Sequence, residues 1–180
     1  SIKEVALIEQ QAQGFIADTL SSIITAGGMR AIILREILWS ILVNKLREKF
    51  GSGGEALLYY IGLDMGVEAA KTHKKMAEAL GLREPDEITR ILGASIFTSV
   101  GWGSLKIEEF TLNPPHVLLT VYNNFECEIA PPSKKPYSQL TRGLIAGYLS
   151  HLLGLEMEVN ETECLVRGDP HCRFECKPKK

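Results

Sequence analysis

The sequence predicts an α+β fold in which a mainly antiparallel sheet packs with helices, as a single domain over residues 1–180. Two patterns support this prediction. Apolar residues recur at helical spacing through the first half of the chain, and the second half contains short stretches in which apolar and polar residues alternate. A chain of 180 residues that is 45% hydrophobic can also bury one substantial core.

Two elements are predicted before Glu36. Residues 1–18 carry a narrow apolar stripe typical of a short helix. We expect this helix either to dock on its own domain or to contact a second copy of the chain in a homodimer. Residues 21–34 form two apolar runs around Gly27-Gly28, a pattern that indicates a β-hairpin, and a helix continuing through Ile24 is the alternative.

Three helices are predicted next, at Glu36–Phe50, at about Glu55–Leu80 and from Pro85 onward. In the first helix, the residues expected to face the core are Ile37, Leu38, Ile41, Leu42, Leu46 and Phe50. In the second helix, Gly62 and Gly66 lower the helix propensity but allow another element to approach closely.

Alternating residues predict a strand at Ser104–Leu112, with a bulge at Glu108-Glu109, and a second strand after the turn Asn113-Pro114-Pro115. The second strand has apolar residues on both sides, so we expect both of its faces to be covered. A third strand at Phe125–Ile129 would direct Cys127 towards the core.

A helix at Ser138–Leu153 has one side of small residues, which we expect to lie tight against the sheet. These residues are Gly143, Ala146 and Gly147. The next strand, Leu155–Val166, is interrupted near Glu161-Thr162-Glu163, and a bulge there would let Glu161 and Cys164 point in one direction despite their opposite parity.

Three of the four cysteines fall within Glu161–Cys176, which also contains the turn Gly168-Asp169-Pro170. A hairpin around this turn would bring Cys164 and Cys172 together with Glu161. Two thiolates and a carboxylate suit zinc. The alternative is that the cysteines serve as small buried hydrophobic residues, which explains Cys176 adequately but Cys164 less well.

The fourth metal ligand is open between several residues. Cys127 and Cys176 each lie on an apolar strand face, and Ser138, His171 or water could also complete the site. We favour Cys127 because Cys176 lies roughly 13 Å beyond Cys172 along an extended strand. A contact between Cys127 and Cys176 is the competing arrangement. A closed, thiolate-rich site of this kind would be structural instead of catalytic.

The chain resembles the 4-vinyl reductase-like domain family, also described as a hydrocarbon-binding domain. The matching residues are Glu161, Cys164, 168–174, 177–178, 143–148 and 125–128. The resemblance implies a fold similar to the ligand-binding fold of haem nitric-oxide sensors and vesicle-tethering subunits. In relatives that sense phenols, it implies a zinc held by this Glu, by Cys164 and Cys172, and by a third cysteine just before the glycine-containing helix. In this chain that position is Ser138.

A sheet packed against helices, with apolar residues to spare, suits a small apolar ligand. The candidate ligand-binding residues are Phe97, Trp102, Val121, Tyr122 and Tyr148, for which core packing is the alternative role. Phenol-sensing relatives are thought to hold the ligand hydroxyl with a His and a Trp. No His occurs between Lys74 and His116, and Val121 lies near the position of that Trp, so we expect a more apolar ligand than phenol.

We therefore expect a non-enzymatic sensor or carrier of small hydrophobic molecules, with zinc as its cofactor. One alternative is an accessory role in the vinyl reduction of a bacteriochlorophyll-type tetrapyrrole, as the family name suggests, and another is a structural assembly subunit. The four histidines have no evident catalytic partners and are expected at the surface. The net charge of −2 and the lack of a long apolar run predict a soluble, cytoplasmic protein that binds no nucleic acid and has no membrane span.

Overall fold

The structure of the chain is a computed structural model that describes residues 15–18, 23–26 and 29–180. These residues form two compact units that divide between Arg35 and Glu36. The first unit is an antiparallel sheet of β1 (Phe15–Asp18), β2 (Ile23–Ala26) and β3 (Met29–Ala31). Pairing of β2 with β3 confirms the predicted hairpin. The helix predicted at residues 1–18 lies outside the described residues up to residue 14, and Phe15–Asp18 form a strand instead.

The second unit has six α-helices among the described residues. They are α1 (Glu36–Phe50), α2 (Ser52–Leu80), α3 (Pro85–Ile88), α4 (Ser95–Ser99), α5 (Phe125–Glu128) and α6 (Gln139–Leu153). A π-helix (Thr89–Ala94) joins α3 to α4. Within the part of the chain that the structure describes, no helix is both long and apolar enough to cross a membrane.

Four strands of this unit form one antiparallel sheet in the order β4-β5-β7-β6. They are β4 (Ser104–Leu112), β5 (Pro115–Tyr122), β6 (Met157–Glu163) and β7 (Cys172–Pro178), and a 3₁₀ helix (Leu165–Arg167) follows β6. The predicted α+β class with a mainly antiparallel sheet is therefore confirmed. The two predicted bulges are also present, because the pairing register shifts between Ile107 and Glu109 and between Glu161 and Glu163.

Helices α2 and α6 touch through their backbones because both carry glycines at the contact. A Cβ atom on Gly62 would lie 2.2 Å from the Leu140 carbonyl oxygen, and one on Gly66 would lie 2.1 Å from the Leu144 carbonyl oxygen. Atoms cannot approach so closely, so only glycine fits at either position. This is the close approach that the sequence predicts for Gly62 and Gly66.

The glycines of α6 complete the same contact from the other side. A Cβ atom on Gly143 would lie 2.0 Å from the Tyr59 carbonyl oxygen, and one on Gly147 would lie 2.0 Å from the Leu63 carbonyl oxygen. The prediction that Gly143 and Gly147 lie against the sheet is therefore wrong, since these two glycines face α2. The buried side chain of Ala146 belongs to the core between α6 and the sheet.

Three further predictions about local structure are wrong, in whole or in part. Phe125–Glu128 form a helical turn instead of a strand, because the Asn124 side chain caps it by accepting a hydrogen bond from the Glu126 N–H. Strand β5 is covered on only part of its second face, where Thr120 is buried but Tyr122 is 40% exposed. The helix predicted from Pro85 changes to a π-helix at Thr89, which leaves Ile91 exposed.

The predicted bounds of α1 are confirmed, but most of its predicted core-facing residues are exposed. Ile37, Leu38, Ile41 and Leu42 are between 43% and 58% exposed, and Phe50 is also exposed. The helix instead packs through Trp39, Val43 and Leu46, which join a cluster with Leu58, Phe125 and Leu140. Helix α1 has apolar residues on two faces, so its periodicity alone could not show which face packs.

We expect Gly66→Ala to lower the free energy of unfolding by about 3 kcal/mol, because the new methyl group would meet the α6 backbone, which cannot move aside cheaply. Gly53→Ala is the matched control in the same helix, since a Cβ at Gly53 meets no atom within 4 Å. The control should be neutral or stabilising by about 0.5 kcal/mol. Denaturant unfolding of both variants checks this prediction, and equal stabilities would contradict it.

Candidate metal site and apolar cavity

Four acidic or thiol side chains come together where α5, β6 and β7 meet the start of α6. One potential ligand atom from each of Cys127, Glu161, Cys164 and Cys172 lies within 4.8 Å of all the others. The three cysteines are buried, and Glu161 is half-buried. The terminal hairpin of β6 and β7 supplies three of these residues, and the turn of α5 supplies Cys127.

The spacing of the sulfur atoms fits a tetrahedral metal ion. The Cys127 Sγ atom lies 3.6 Å from Cys164 Sγ and 3.4 Å from Cys172 Sγ. A zinc–sulfur bond of about 2.3 Å in tetrahedral geometry places two sulfurs about 3.8 Å apart. A disulfide requires about 2.0 Å, so these cysteines are free thiols. The donor set of three sulfurs and one carboxylate suits zinc.

Ser138 links this cluster to the first residue of α6. Its hydroxyl donates to Glu161 Oε1 at 2.7 Å, and its backbone N–H donates to Glu161 Oε2 at 3.0 Å. The same hydroxyl lies 3.2 Å from Cys127 Sγ. Ser138 therefore stands beside the ligand cluster and orients Glu161. Cys176 and His171, the other residues considered as a fourth ligand, are not members of the cluster.

The ionisation of these groups shows why a cation would fit. Burial raises the pKa of Glu161 to about 8, against the opposing hydrogen bonds from Ser138. Hydrogen bonds from Cys127 and Cys172 lower the pKa of the Cys164 thiol, so the first negative charge of the three thiols falls on Cys164. A bound cation would offset the cost of holding further negative charge on these buried groups.

A second polar network holds the same end of α6. The fully buried Glu126 carboxylate accepts hydrogen bonds from the backbone N–H groups of Leu140 at 3.1 Å and Thr141 at 2.9 Å. The Arg47 guanidinium donates to it at 2.7 Å. A carboxylate at a helix N-terminus is favoured by the helix dipole, and removing one partner of a buried ion pair costs about 3–5 kcal/mol. The sequence analysis missed this pair, because Glu126 was placed on the polar face of a strand.

A separate apolar cavity of about 200 Å³ lies between the helices and the sheet. It is lined by α2, the π-helix, α4, Trp102, β4, β5 and α6. For comparison, an engineered apolar cavity of about 150 Å³ binds benzene. The cavity is therefore large enough for a benzene ring with a small substituent, and too small for a tetrapyrrole macrocycle.

The five predicted ligand-binding residues separate into two groups. Phe97, Trp102 and Tyr148 line the cavity. Val121 is buried in the core and does not line it. Tyr122 lies at the end of β5, where its partly exposed ring packs 5.3 Å from the ring of His171.

The polar side chains of the cavity include a histidine that was predicted to lie at the surface. His73 is only 6% exposed, so that prediction is wrong. It lies on the small-residue face of α2 that also carries Gly66, Ala70 and Ala77, and this pattern could have indicated its burial. His73 Nδ1 and the Tyr148 hydroxyl are 3.1 Å apart and share one hydrogen bond. Burial lowers the pKa of His73 to about 4 and raises the pKa of Tyr148, so both are neutral at pH 7.

The π-helix completes this part of the cavity wall. Thr89 and Gly93 of the π-helix line the cavity, and the Thr89 hydroxyl donates to the Pro85 carbonyl at 2.7 Å. A Cβ on Gly93 would lie 3.0 Å from the Tyr148 hydroxyl oxygen, so glycine leaves room for that hydroxyl. Segments of π-helix occur frequently at functional sites.

The fold and the two sites define an α+β domain that combines a Cys₃Glu cluster with an apolar cavity. Residues 117–178 match the 4-vinyl reductase domain family, and this segment contains all four residues of the cluster. The match confirms the predicted resemblance to the 4-vinyl reductase-like family.

Two relatives show how far the sequence similarity extends. The uncharacterized protein MJ1460 of Methanocaldococcus jannaschii is 25% identical over 140 residues, which are 76% of this chain and 73% of that protein. The phenol regulator MopR of Acinetobacter guillouiae is 31% identical over 86 residues, which are 42% of this chain. The aligned part is only 15% of MopR.

Solved structures share the fold. The phenol-responsive sensory domain of the transcription activator PoxR, crystallised with phenol, has a TM-score of 0.81 at 21% identity and covers 99% of this chain and 91% of its own. An H-NOX protein from S. oneidensis has a TM-score of 0.57 at 12% identity, with coverages of 97% and 87%. A trafficking protein particle complex subunit 3 from Naegleria fowleri has a TM-score of 0.57 at 15% identity, with coverages of 81% and 93%. The predicted likeness to these ligand-binding folds is confirmed.

The burial of His73 predicts a specific dependence of stability on pH. Its pKa is about 4 in the folded chain and about 6.5 when unfolded, so between these values the unfolded state binds a proton that the folded state does not. Stability is therefore lost as the pH falls through this window, by on the order of 3 kcal/mol.

A His73→Gln variant removes this titration, and the comparison is made by measuring the free energy of unfolding of both proteins at about pH 7 and pH 5. We expect the difference between wild type and variant to shift against the wild type as the pH falls. A difference that stays constant would contradict the prediction.

Proposed function

We propose that this chain is a non-enzymatic sensor or carrier domain for small hydrophobic molecules. The observation that carries the proposal is the cavity of about 200 Å³, whose wall consists mainly of aliphatic and aromatic side chains. The names of two similar proteins support it, since MopR is a phenol regulator and the PoxR domain is phenol-responsive. A cavity of this size and character suits a monocyclic aromatic or alicyclic ligand.

The cavity also bears on the two alternative functions. An accessory role in tetrapyrrole vinyl reduction is disfavoured, because the macrocycle is larger than the cavity. A purely structural assembly subunit would gain stability by filling its interior with side chains, since a cavity lacks part of its packing interactions. An open apolar chamber in the core therefore favours ligand binding over either alternative.

The second part of the proposal is that Cys127, Glu161, Cys164 and Cys172 hold a zinc ion with a structural role. A four-ligand site of this type is closed, so the ion would stabilise the fold instead of activating water. The ion would hold the β6–β7 hairpin, α5 and the start of α6 together. A cleft that borders Cys127 beside the 3₁₀ helix offers a route by which the ion enters.

Metal analysis of the purified chain tests the zinc site. We expect about one zinc per chain, and Cys127→Ser should weaken zinc binding by about 10-fold or more and lower the melting temperature. Cys176→Ser is the matched control, because Cys176 is a fully buried cysteine of β7 outside the cluster. The control should retain its zinc even if it loses some stability. Equal zinc content in wild type and Cys127→Ser would contradict the assignment of Cys127.

Blocking the cavity tests ligand binding. Ala69 lines the cavity, so Ala69→Leu should occupy part of its volume and weaken the binding of small aromatic molecules. Ala79→Leu makes the same change at an exposed position of α2 and should leave binding unaffected. Binding is measured by thermal shift and by native mass spectrometry with a panel of substituted benzenes.

The panel decides the proposal as follows. Ligands that raise the melting temperature of wild type and of Ala79→Leu, but less so that of Ala69→Leu, place binding in the cavity. If no small apolar molecule binds or shifts the melting temperature of the wild type, the sensor or carrier function is refuted.

A further inference from the structure

The polar groups of the cavity form one connected set, which the proposed function does not yet use. Among the described residues that line the cavity, four side chains carry a nitrogen or oxygen atom, and none carries a charge at neutral pH. They are His73, Thr89, Trp102 and Tyr148. The ring of Trp102 packs against Phe97 and Phe125 in an aromatic cluster, whereas His73 and Tyr148 are hydrogen-bonded to each other.

The Tyr148 hydroxyl keeps hydrogen-bonding capacity in either arrangement of its bond with His73. If the hydroxyl donates to Nδ1 of His73, its oxygen retains acceptor sites. If His73 Nδ1–H donates to the hydroxyl, the tyrosine proton is free to be donated. The Thr89 proton is already engaged by the Pro85 carbonyl, so Thr89 can act only as an acceptor. The pair of His73 and Tyr148 can therefore meet either a donor or an acceptor.

The position of the Tyr148 hydroxyl is fixed by two elements besides its own helix. His73 of α2 holds it by the 3.1 Å hydrogen bond. Gly93 of the π-helix leaves space for it, since a Cβ there would lie 3.0 Å from the hydroxyl oxygen. A hydroxyl held in this way in an apolar chamber is preorganised, which reduces the entropic cost of forming a hydrogen bond to a ligand.

We propose that His73 and Tyr148 form a polar anchor, which selects neutral ligands that carry one hydroxyl or carbonyl group on a hydrocarbon body. This inference rests on the proposed function and narrows its ligand class. A pure hydrocarbon leaves the anchor without a partner, which weakens the selectivity for such ligands. A carboxylate brings a charge into a cavity whose described lining offers no cation to neutralise it, so acids are rejected.

Two nearly isosteric probes, ethylbenzene and benzyl alcohol, differ only in a methyl group against a hydroxyl group. Their affinities are measured by calorimetry on the full chain, for the wild type and for Tyr148→Phe, which removes only the anchor hydroxyl. We expect Tyr148→Phe to weaken benzyl alcohol by about 10-fold and to leave ethylbenzene unchanged or tighter. Tyr60→Phe is the matched control, because Tyr60 is 63% exposed and does not line the cavity. It should change neither affinity.

A second variant and a third probe keep the test decisive. If Tyr148→Phe does not fold, His73→Leu takes its place and should also weaken benzyl alcohol more than ethylbenzene. Benzoate should bind the wild type at least about 10-fold more weakly than benzyl alcohol.

The outcomes separate this inference from the proposed function. The anchor is refuted if the variants change both neutral probes equally, and the neutral ligand class is refuted if benzoate binds as tightly as benzyl alcohol. In either case the sensor or carrier function stands. If neither neutral probe nor any other small apolar molecule binds the wild type, the proposed function itself fails, and the anchor with it.

Discussion

The backbone contact between α2 and α6 is the constraint on which both sites depend. Gly62 and Gly66 of α2 face the carbonyl groups of α6, and Gly143 and Gly147 of α6 face those of α2. With no side chains between them, the two helices are fixed in separation and in register. His73 lies about two turns beyond Gly66, and Tyr148 directly follows Gly147, so the same contact brings the imidazole to the tyrosine hydroxyl. A larger residue at any of these glycines would separate the two groups.

The beginning of α6 is held equally firmly. The Glu126 carboxylate, paired with Arg47, accepts from the N–H groups of Leu140 and Thr141, while Glu161 accepts from the N–H and hydroxyl groups of Ser138. Groups that an isolated helix leaves unpaired at its N-terminus are thus satisfied by two buried or half-buried carboxylates. Glu161 also belongs to the cysteine cluster, so an ion there would hold this carboxylate in place and stabilise the start of the helix.

The sequence predicts those features that depend on local pattern. Alternation and turn residues are sufficient to find the terminal hairpin, the bulges near Glu108 and Thr162, and the convergence of Glu161 with Cys164 and Cys172. Features decided by partners distant in the chain were missed or misassigned. The spacing in α1 does not show that Val43, rather than Ile41, meets the core, and the small residues of α6 do not reveal that their neighbour is a helix.

The residues most important for the two sites fall in this second class. His73 is buried because α2 presents small residues on both sides of it to α6, a fact that no pattern around a single histidine contains. Cys127 reaches the cluster on a capped helical turn, where the sequence predicts a strand. Both residues are placed by packing between elements that are far apart in sequence.

The fourth donor of the cluster illustrates how this chain departs from the pattern that the family resemblance implies. That pattern has a cysteine just before the glycine-containing helix, where this chain has Ser138. In the fold, however, Cys127 Sγ lies 3.2 Å from Ser138 Oγ and within 3.6 Å of both hairpin sulfurs. A thiol is therefore supplied to almost the same point in space from a position eleven residues earlier in the chain. With the sulfur on α5, the Ser138 hydroxyl is free to donate to Glu161, so the serine orients a ligand where the family pattern has one, and the set of four donors stays complete.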